Sequence, residues 1–167
     1  GFATHYAPSV ALDGFKRDLI AGAEVDAALG KIATDPGPPP LAARRPAIER
    51  LFAGNSVEEI LAALEADGSE WSAATLKDLK TKSPTSLKVT FEQLRRGAGL
   101  PIEDVLTMEY RMTQAFMAGH DFFEGIRALL VDKDQAPKWQ PPTLAEVTPA
   151  EVARYFRPLG ADDLTFD

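Results

Sequence analysis

Ser56-Val57-Glu58-Glu59-Ile60-Leu61-Ala62-Ala63-Leu64-Glu65-Ala66-Asp67-Gly68 is the stretch that decides the class of fold. Ser56 and Glu59 stand three residues apart, the spacing of a capping box, in which hydroxyl and carboxylate each satisfy an amide left free at a helix start. Val57, Ile60, Leu61 and Leu64 then recur at i, i+3, i+4 and i+7, which gathers them on one face of a helix. Asp67-Gly68 closes it. Start, apolar face and stop are all written locally.

The same grammar repeats on both sides. Upstream, Leu12, Phe15 and Leu19 mark a first helix, Val25 to Ile32 a second, and Ala42 to Phe52 a third with Gly54 as its carboxy-terminal cap. Thr34-Asp35-Pro36-Gly37-Pro38-Pro39-Pro40 interrupts them as an exposed connector. Downstream, Trp71 to Lys80 forms a helix, and Ser83-Pro84 opens another in which Leu87, Phe91 and Leu94 face inward as far as Gly97. Pro101 begins the longest, to about Ala118, with Ile102, Val105, Leu106, Met112 and Phe116 along one stripe. Gly119-His120-Asp121 caps a helix carrying Phe122, Ile126, Leu129 and Leu130; a proline-rich tail and a short helix from Thr148 through Val152 and Phe156 follow. The opening Phe2, Thr4 and Tyr6 alternate with small or polar neighbours and predict one short strand. A lone strand cannot satisfy its own backbone groups, so its partners are expected upstream of Gly1. The expected fold is mainly α with one amino-terminal β-strand, divided as residues 1–7 and a helical domain over residues 8–167.

Composition narrows the chemistry. The chain has 167 residues, a net charge of −7 and no cysteine, which excludes disulfides, thiolate nucleophiles and sulfur-ligated zinc. An acidic surface opposes general nucleic-acid binding, and no apolar run approaches the roughly 20 residues that cross a bilayer. Residues 76–96 run against the trend: Lys77, Lys80, Lys82, Lys88, Arg95 and Arg96 face only Asp78 and Glu92, a local balance of +4. That stretch is either a solvated lysine face or a surface for a phosphate-bearing small ligand. Neither a phosphate loop nor a dinucleotide fingerprint occurs, and no serine lies in a nucleophile elbow. The two histidines, His5 and His120, lie on different elements, so no metal site is expected. Glu109 falls seven residues after Ile102 and is placed as either an acid/base carboxylate or an anchor paired with Arg95, Arg111 or Arg127. His5, at a strand end, is either structural or pocket-lining. His120-Asp121 reads as a helix cap, and Trp71 and Trp139 as core or docking aromatics.

Three segments carry a resemblance: Ser83-Pro84-Thr85-Ser86-Leu87-Lys88, Leu106-Thr107-Met108-Glu109-Tyr110-Arg111, and Gly119-His120-Asp121-Phe122-Phe123-Glu124-Gly125-Ile126-Arg127-Ala128. The last continues into Asp132-Lys133-Asp134 and Pro137-Lys138-Trp139. Together they resemble the 3-hydroxyisobutyryl-CoA hydrolase branch of the crotonase (enoyl-CoA hydratase/isomerase) superfamily, in its helical carboxy-terminal portion. That family's amino-terminal part is a spiral of ββα units holding coenzyme A, the oxyanion hole and an acidic pair. None of those catalytic positions has a counterpart here, so the resemblance implies no catalytic residue in this chain. It also implies that Gly1–Tyr6 ends the spiral and that the helices cover the acyl pocket. Lys133, with Lys138 next, is the implied contact to the coenzyme A phosphates, although aligning Lys133 with the hydratase pattern takes a one-residue shift. Glu109 and His5 are the candidate pocket-lining residues. The implied partners are an acyl-CoA substrate, through the spiral part, and further copies of the chain, with no nucleic acid and no membrane. The substrate brings the coenzyme A, and no separate cofactor is expected. The implied activity is thioester hydrolysis in valine breakdown, with an enoyl-CoA hydratase or isomerase and a non-enzymatic helical adaptor as alternatives. The implied compartment is the cytoplasm in a bacterium or the mitochondrial matrix in a eukaryote.

Overall fold

A computed structural model describes residues 3–166 as two compact units, one up to Ile48 and one from Glu49 onward. In the first, α1 (Leu12–Ile20) and α2 (Val25–Ile32) form a helical hairpin. Gly22 makes the turn in the left-handed region at φ 88°, where a side chain would be strained. Lys31 ties the hairpin together with a 2.7 Å ion pair to Asp18, and Ala28 is its buried point. The segment expected as a strand is not one. Gly1 and Phe2 lie outside the described residues, and residues 3–7 join no ladder; the Tyr6 carbonyl takes a single bond from the Thr34 amide. Among the described residues there is no strand.

Helix α3 (Arg45–Leu51) follows a 3-10 turn over Ala42–Arg44. Gly54 does not cap it. The glycine is needed for close approach, because a Cβ there would stand 2.9 Å from the Cβ of Glu59. The second unit then strings together α4 (Val57–Asp67), α5 (Glu70–Leu79), α6 (Pro84–Gly97), α7 (Ile102–Met117), α8 (His120–Ile126) and α9 (Pro149–Arg154). Ser56 accepts the Glu59 amide as expected, but the Glu59 carboxylate reaches one residue further back, to the Asn55 amide. The reciprocal box forms instead at Thr148 and Glu151, opening α9. Gly68 ends α4 in the left-handed conformation at φ 63°.

Val57, Ile60 and Leu64 bury the face that the sequence assigns to α4. Farther along, the core is Val89 of α6, Met108 and Met112 of α7 and Phe156, with Phe116, Val152 and Tyr155 packed against them. The Phe116 and Tyr155 rings lie 4.5 Å apart, and the Arg96 guanidinium sits 4.3 Å over Phe156. On α6 the buried face is Thr85 and Val89, so Leu94, expected inside, is 71% exposed. On α7, Ile102 and Leu106 are likewise exposed, because the packing uses the adjacent row of Met108 and Met112. Helix α7 is also held from outside: its Arg111 makes a bidentate pair with Asp163 at 2.7 and 2.6 Å, docking the carboxy-terminal tail.

Because Leu64 is fully buried whereas Leu94 is largely exposed, Leu64→Ala should cost about 2–5 kcal/mol and Leu94→Ala less than about 0.5 kcal/mol. Urea unfolding midpoints of the two variants measure the difference.

Candidate functional site

The site is built where the starts of α6 and α8 meet the segment after α8. Ser83 caps α6, accepting the Ser86 amide at 3.1 Å. Its hydroxyl proton goes to Asp121 Oδ2 at 2.5 Å, and Asp121 Oδ1 accepts the Gln140 amide at 2.8 Å. His120 Nδ1 lies 3.1 Å from the same oxygen. Asp121 therefore does not cap its own helix, as the sequence suggests; α8 has no side-chain cap. It is a buried carboxylate that joins three segments, which is what a carboxylate needs to be buried without loss. Ser83, Asp121 and His120 are not a nucleophilic triad. In a triad the imidazole lies between hydroxyl and carboxylate, whereas here the carboxylate lies between the other two.

Over this knot runs a groove of about 460 Å³, lined by Ser83, Ser86, Phe116, Asp121, Phe122 and Trp139 among others. A second groove of about 480 Å³ adjoins it, with Phe122 and Trp139 in both walls and Leu129 and Leu130 beyond. Trp139 shapes both grooves. Its indole N–H donates to the Thr81 carbonyl at 3.0 Å, and its ring lies against Gly125, where an added Cβ would meet it at 3.4 Å. It is a half-buried docking aromatic, as expected.

Past α8 the chain makes a π-helix, Arg127–Val131, closed by the Asp132 amide on the Arg127 carbonyl at 2.8 Å. A π turn takes in one more residue than an α turn. The wider turn also leaves Leu129, Leu130 and Val131 more than 60% exposed, against the buried stripe expected for Leu129 and Leu130. The strap that follows, residues 132–138, is tied to α8 by Arg127. This guanidinium binds Glu124 at 2.9 and 2.8 Å and both Asp132 and Asp134 at 2.7 Å. Glu124 also accepts the Lys138 amide at 2.7 Å. The hydrogen bonds from Arg127, and then that from the Lys138 amide, pull the Glu124 carboxyl from its ordinary 4.5 down to about 2. Hydrogen bonds from Arg127 and then the Ala136 amide hold Asp134 low, and the bonds to Glu124, Asp134 and Asp132 hold Arg127 high.

Of the candidate residues, the structure brings Lys133 and Lys138 together on this strap. Both are exposed, and neither ammonium has a hydrogen bond or ion pair. Glu109 is exposed on α7 and accepts Gln93 Nε2 at 2.9 Å, so it is neither in the apolar stripe nor paired with an arginine. His5 lies in the first unit, exposed, with Nδ1 2.9 Å from the Thr4 hydroxyl. Most of the basic stretch is used internally: Lys88 bonds Glu58 at 2.8 Å and the Val147 carbonyl at 3.0 Å, and Arg96 pairs with Glu92. Asp121, read from the sequence as a helix cap, and Arg127, read as a possible partner of Glu109, have other roles in the structure. The acids at 124, 132 and 134 around a single arginine were the available signal for Arg127. Among the described residues no group of three or more His, Asp or Glu is arranged to hold a metal, and no helix is long and apolar enough to cross a membrane.

The profile of the family described as enoyl-CoA hydratase/isomerase matches residues 1–156, and the chain belongs to that family. The mitochondrial 3-hydroxyisobutyryl-CoA hydrolase of Xenopus laevis is 45% identical over 98% of this chain and 45% of its own length. Its human counterpart is 50% identical over 71% of this chain and 31% of its own. A solved structure titled as a carnitinyl-CoA dehydratase from Mycobacterium thermoresistibile superposes with a TM-score of 0.92 at 44% identity, over 99% of this chain and 47% of that one. An enoyl-CoA hydratase from Rhodobacter sphaeroides gives 0.80 at 38%, over 99% and 48%. The chain thus matches between about a third and a half of the length of these relatives.

Asp121→Asn keeps the shape but turns an amide N–H₂ toward a donor, and should cost about 1–3 kcal/mol in urea unfolding. Acid gives a second measure. A carboxyl whose value is lowered on folding stabilises the fold above its unfolded value, and that contribution fades as pH falls through the folded one. Glu124 should therefore hold the strap down to pH 4.5 and lose its grip progressively toward about 2. Trp139 emission, followed in a Trp71→Phe background, should be flat above that window and change within it.

Proposed function

We propose that this chain is the helical portion of an acyl-CoA thioester hydrolase acting on 3-hydroxyisobutyryl-CoA, and that it closes the acyl pocket without supplying catalytic groups. The observation that carries the reading is the similarity to hydrolases of that name over 98% of the chain. The chemistry on the page supports it. The Ser83 hydroxyl is fully engaged with Asp121 and Ser86, Glu109 with Gln93, and among the described residues no side chain is set up as an activated nucleophile. What the surface does offer is apolar grooves beside two unpaired ammonium groups, Lys133 and Lys138. Such a surface suits a ligand with an apolar arm and terminal phosphates, and coenzyme A is of that kind.

A dehydratase or hydratase reading has its own support, in the 0.92 superposition on the protein titled as a carnitinyl-CoA dehydratase. Both readings share the pocket and differ in catalytic residues outside this chain. The exposed Phe123, Leu129, Leu130 and Val131 favour association, with further copies or with a spiral portion, over a free-standing adaptor. In a eukaryote the site of action would be the mitochondrial matrix, and in a bacterium the cytoplasm.

The test is thiol release from 3-hydroxyisobutyryl-CoA by this chain alone and mixed with the amino-terminal half of a full-length relative. This chain has no cysteine and adds no thiol of its own. Release only in the mixture is expected. Release by the chain alone would overturn the non-catalytic role, and a gain of enoyl absorbance without thiol release, from loss of water by the substrate, would select the hydratase reading.

A further inference from the structure

Arg127 has five N–H donors, and all five are matched with acceptors. Nε and one Nη2 proton hold the two oxygens of Glu124, the Nη1 protons hold Asp132 and Asp134, and the other Nη2 proton points at the Ala136 carbonyl at 3.4 Å. Asp134 is engaged a second time, by the Ala136 amide at 2.9 Å. Lys133 sits between the two aspartates in sequence, with φ at 57°, a left-handed conformation that a lysine adopts only when its surroundings impose it. An ammonium flanked by two aspartates ordinarily pairs with one of them. Here neither does so, because the guanidinium has claimed both. Lys138 shows the same pattern: its backbone amide is bound by Glu124 while its side chain stays free.

We propose that Arg127 is the positioning residue of the strap, engaging Glu124, Asp132 and Asp134 so that the ammonium groups of Lys133 and Lys138 remain available to the phosphates of a coenzyme A thioester. Given the coenzyme A reading above, the device answers a specific difficulty. The chain is acidic overall, and a phosphate arriving at this strap meets three carboxylates within fifteen residues. The guanidinium gives Glu124 two hydrogen bonds and each aspartate one, and the strap is electrically balanced once both lysines are counted. Without Arg127 the nearest base to Asp132 and Asp134 in sequence is Lys133 itself, and the phosphate would have to compete with them.

The clamp can be read without any ligand. An amine beside a free carboxylate holds its proton more tightly and acylates more slowly. Trace acetylation of the whole chain, with site-by-site yields from peptide mass spectrometry and exposed Lys77 as internal reference, should show Lys133 slowed severalfold in Arg127→Gln. The triple variant R127Q/D132N/D134N should restore it, since neither residue flanking Lys133 is then a carboxylate. Unchanged Lys133 reactivity in R127Q overturns the clamp. Slowing that the triple variant fails to restore overturns it too, because the loss would then come from conformation alone; circular dichroism confirms that each variant is folded. The ligand is judged separately, by calorimetric titration with coenzyme A. Lys133→Gln should weaken binding by about threefold or more, and R127Q comparably, with recovery in the triple variant. If K133Q binds coenzyme A like the parent, or the parent does not bind, the phosphate reading fails while the acetylation result still decides the clamp.

Discussion

The second unit depends on one buried carboxylate. Asp121 receives the hydroxyl that caps α6, the amide of Gln140 beyond the strap, and the ring nitrogen of its neighbour His120. Each donor lies on a different stretch of chain, so the carboxylate fixes where α6 starts, where α8 starts and where the tail returns. A buried charge is tolerable only when its lone pairs are filled, and filling them requires these three segments to stay together. The groove walls follow from that. Trp139 lies one residue before Gln140, and its contact with Gly125 and its bond to Thr81 are made from a backbone that Asp121 has already fixed.

Arg127 plays a related part at the surface. Exposed ion pairs taken one at a time contribute little, but a guanidinium that satisfies three carboxylates orders a loop that has no regular structure of its own. The order extends through the Glu124–Lys138 bond toward Trp139, so strap and knot share a boundary. The grooves and the strap are thus adjoining elements whose positions are set by different means, packing for one and charge for the other.

Much of the helical architecture was legible because its signals are local. Pro84–Gly97 and Val25–Ile32 carry their own punctuation and appear where the spacing puts them. Which face each helix buries was less legible. Leu94, Ile102 and Leu106 are apolar, at helical spacing, and exposed, because adjacent rows on the same helices found partners first. The strand over residues 2–6 was read from alternation alone, and the described part of it pairs with nothing but the Thr34 amide. Glu109 was placed by its distance from Ile102, and failed as a buried group when Ile102 itself proved to be exposed.

The sequence by itself determined the helical class, most of the helices, the absence of thiol chemistry and, through its motifs, the family. Those properties reside in contiguous residues, where hydrogen bonds span three or four positions. Tertiary structure decided the rest: that Asp121 is a junction and not a cap, that one guanidinium serves three acids, and that Lys133 and Lys138 keep unpaired charges. Side chains as far apart as Ser83 and Asp121, or Thr81 and Trp139, meet only when helices have packed, and no local spacing encodes a hydrogen bond across that separation.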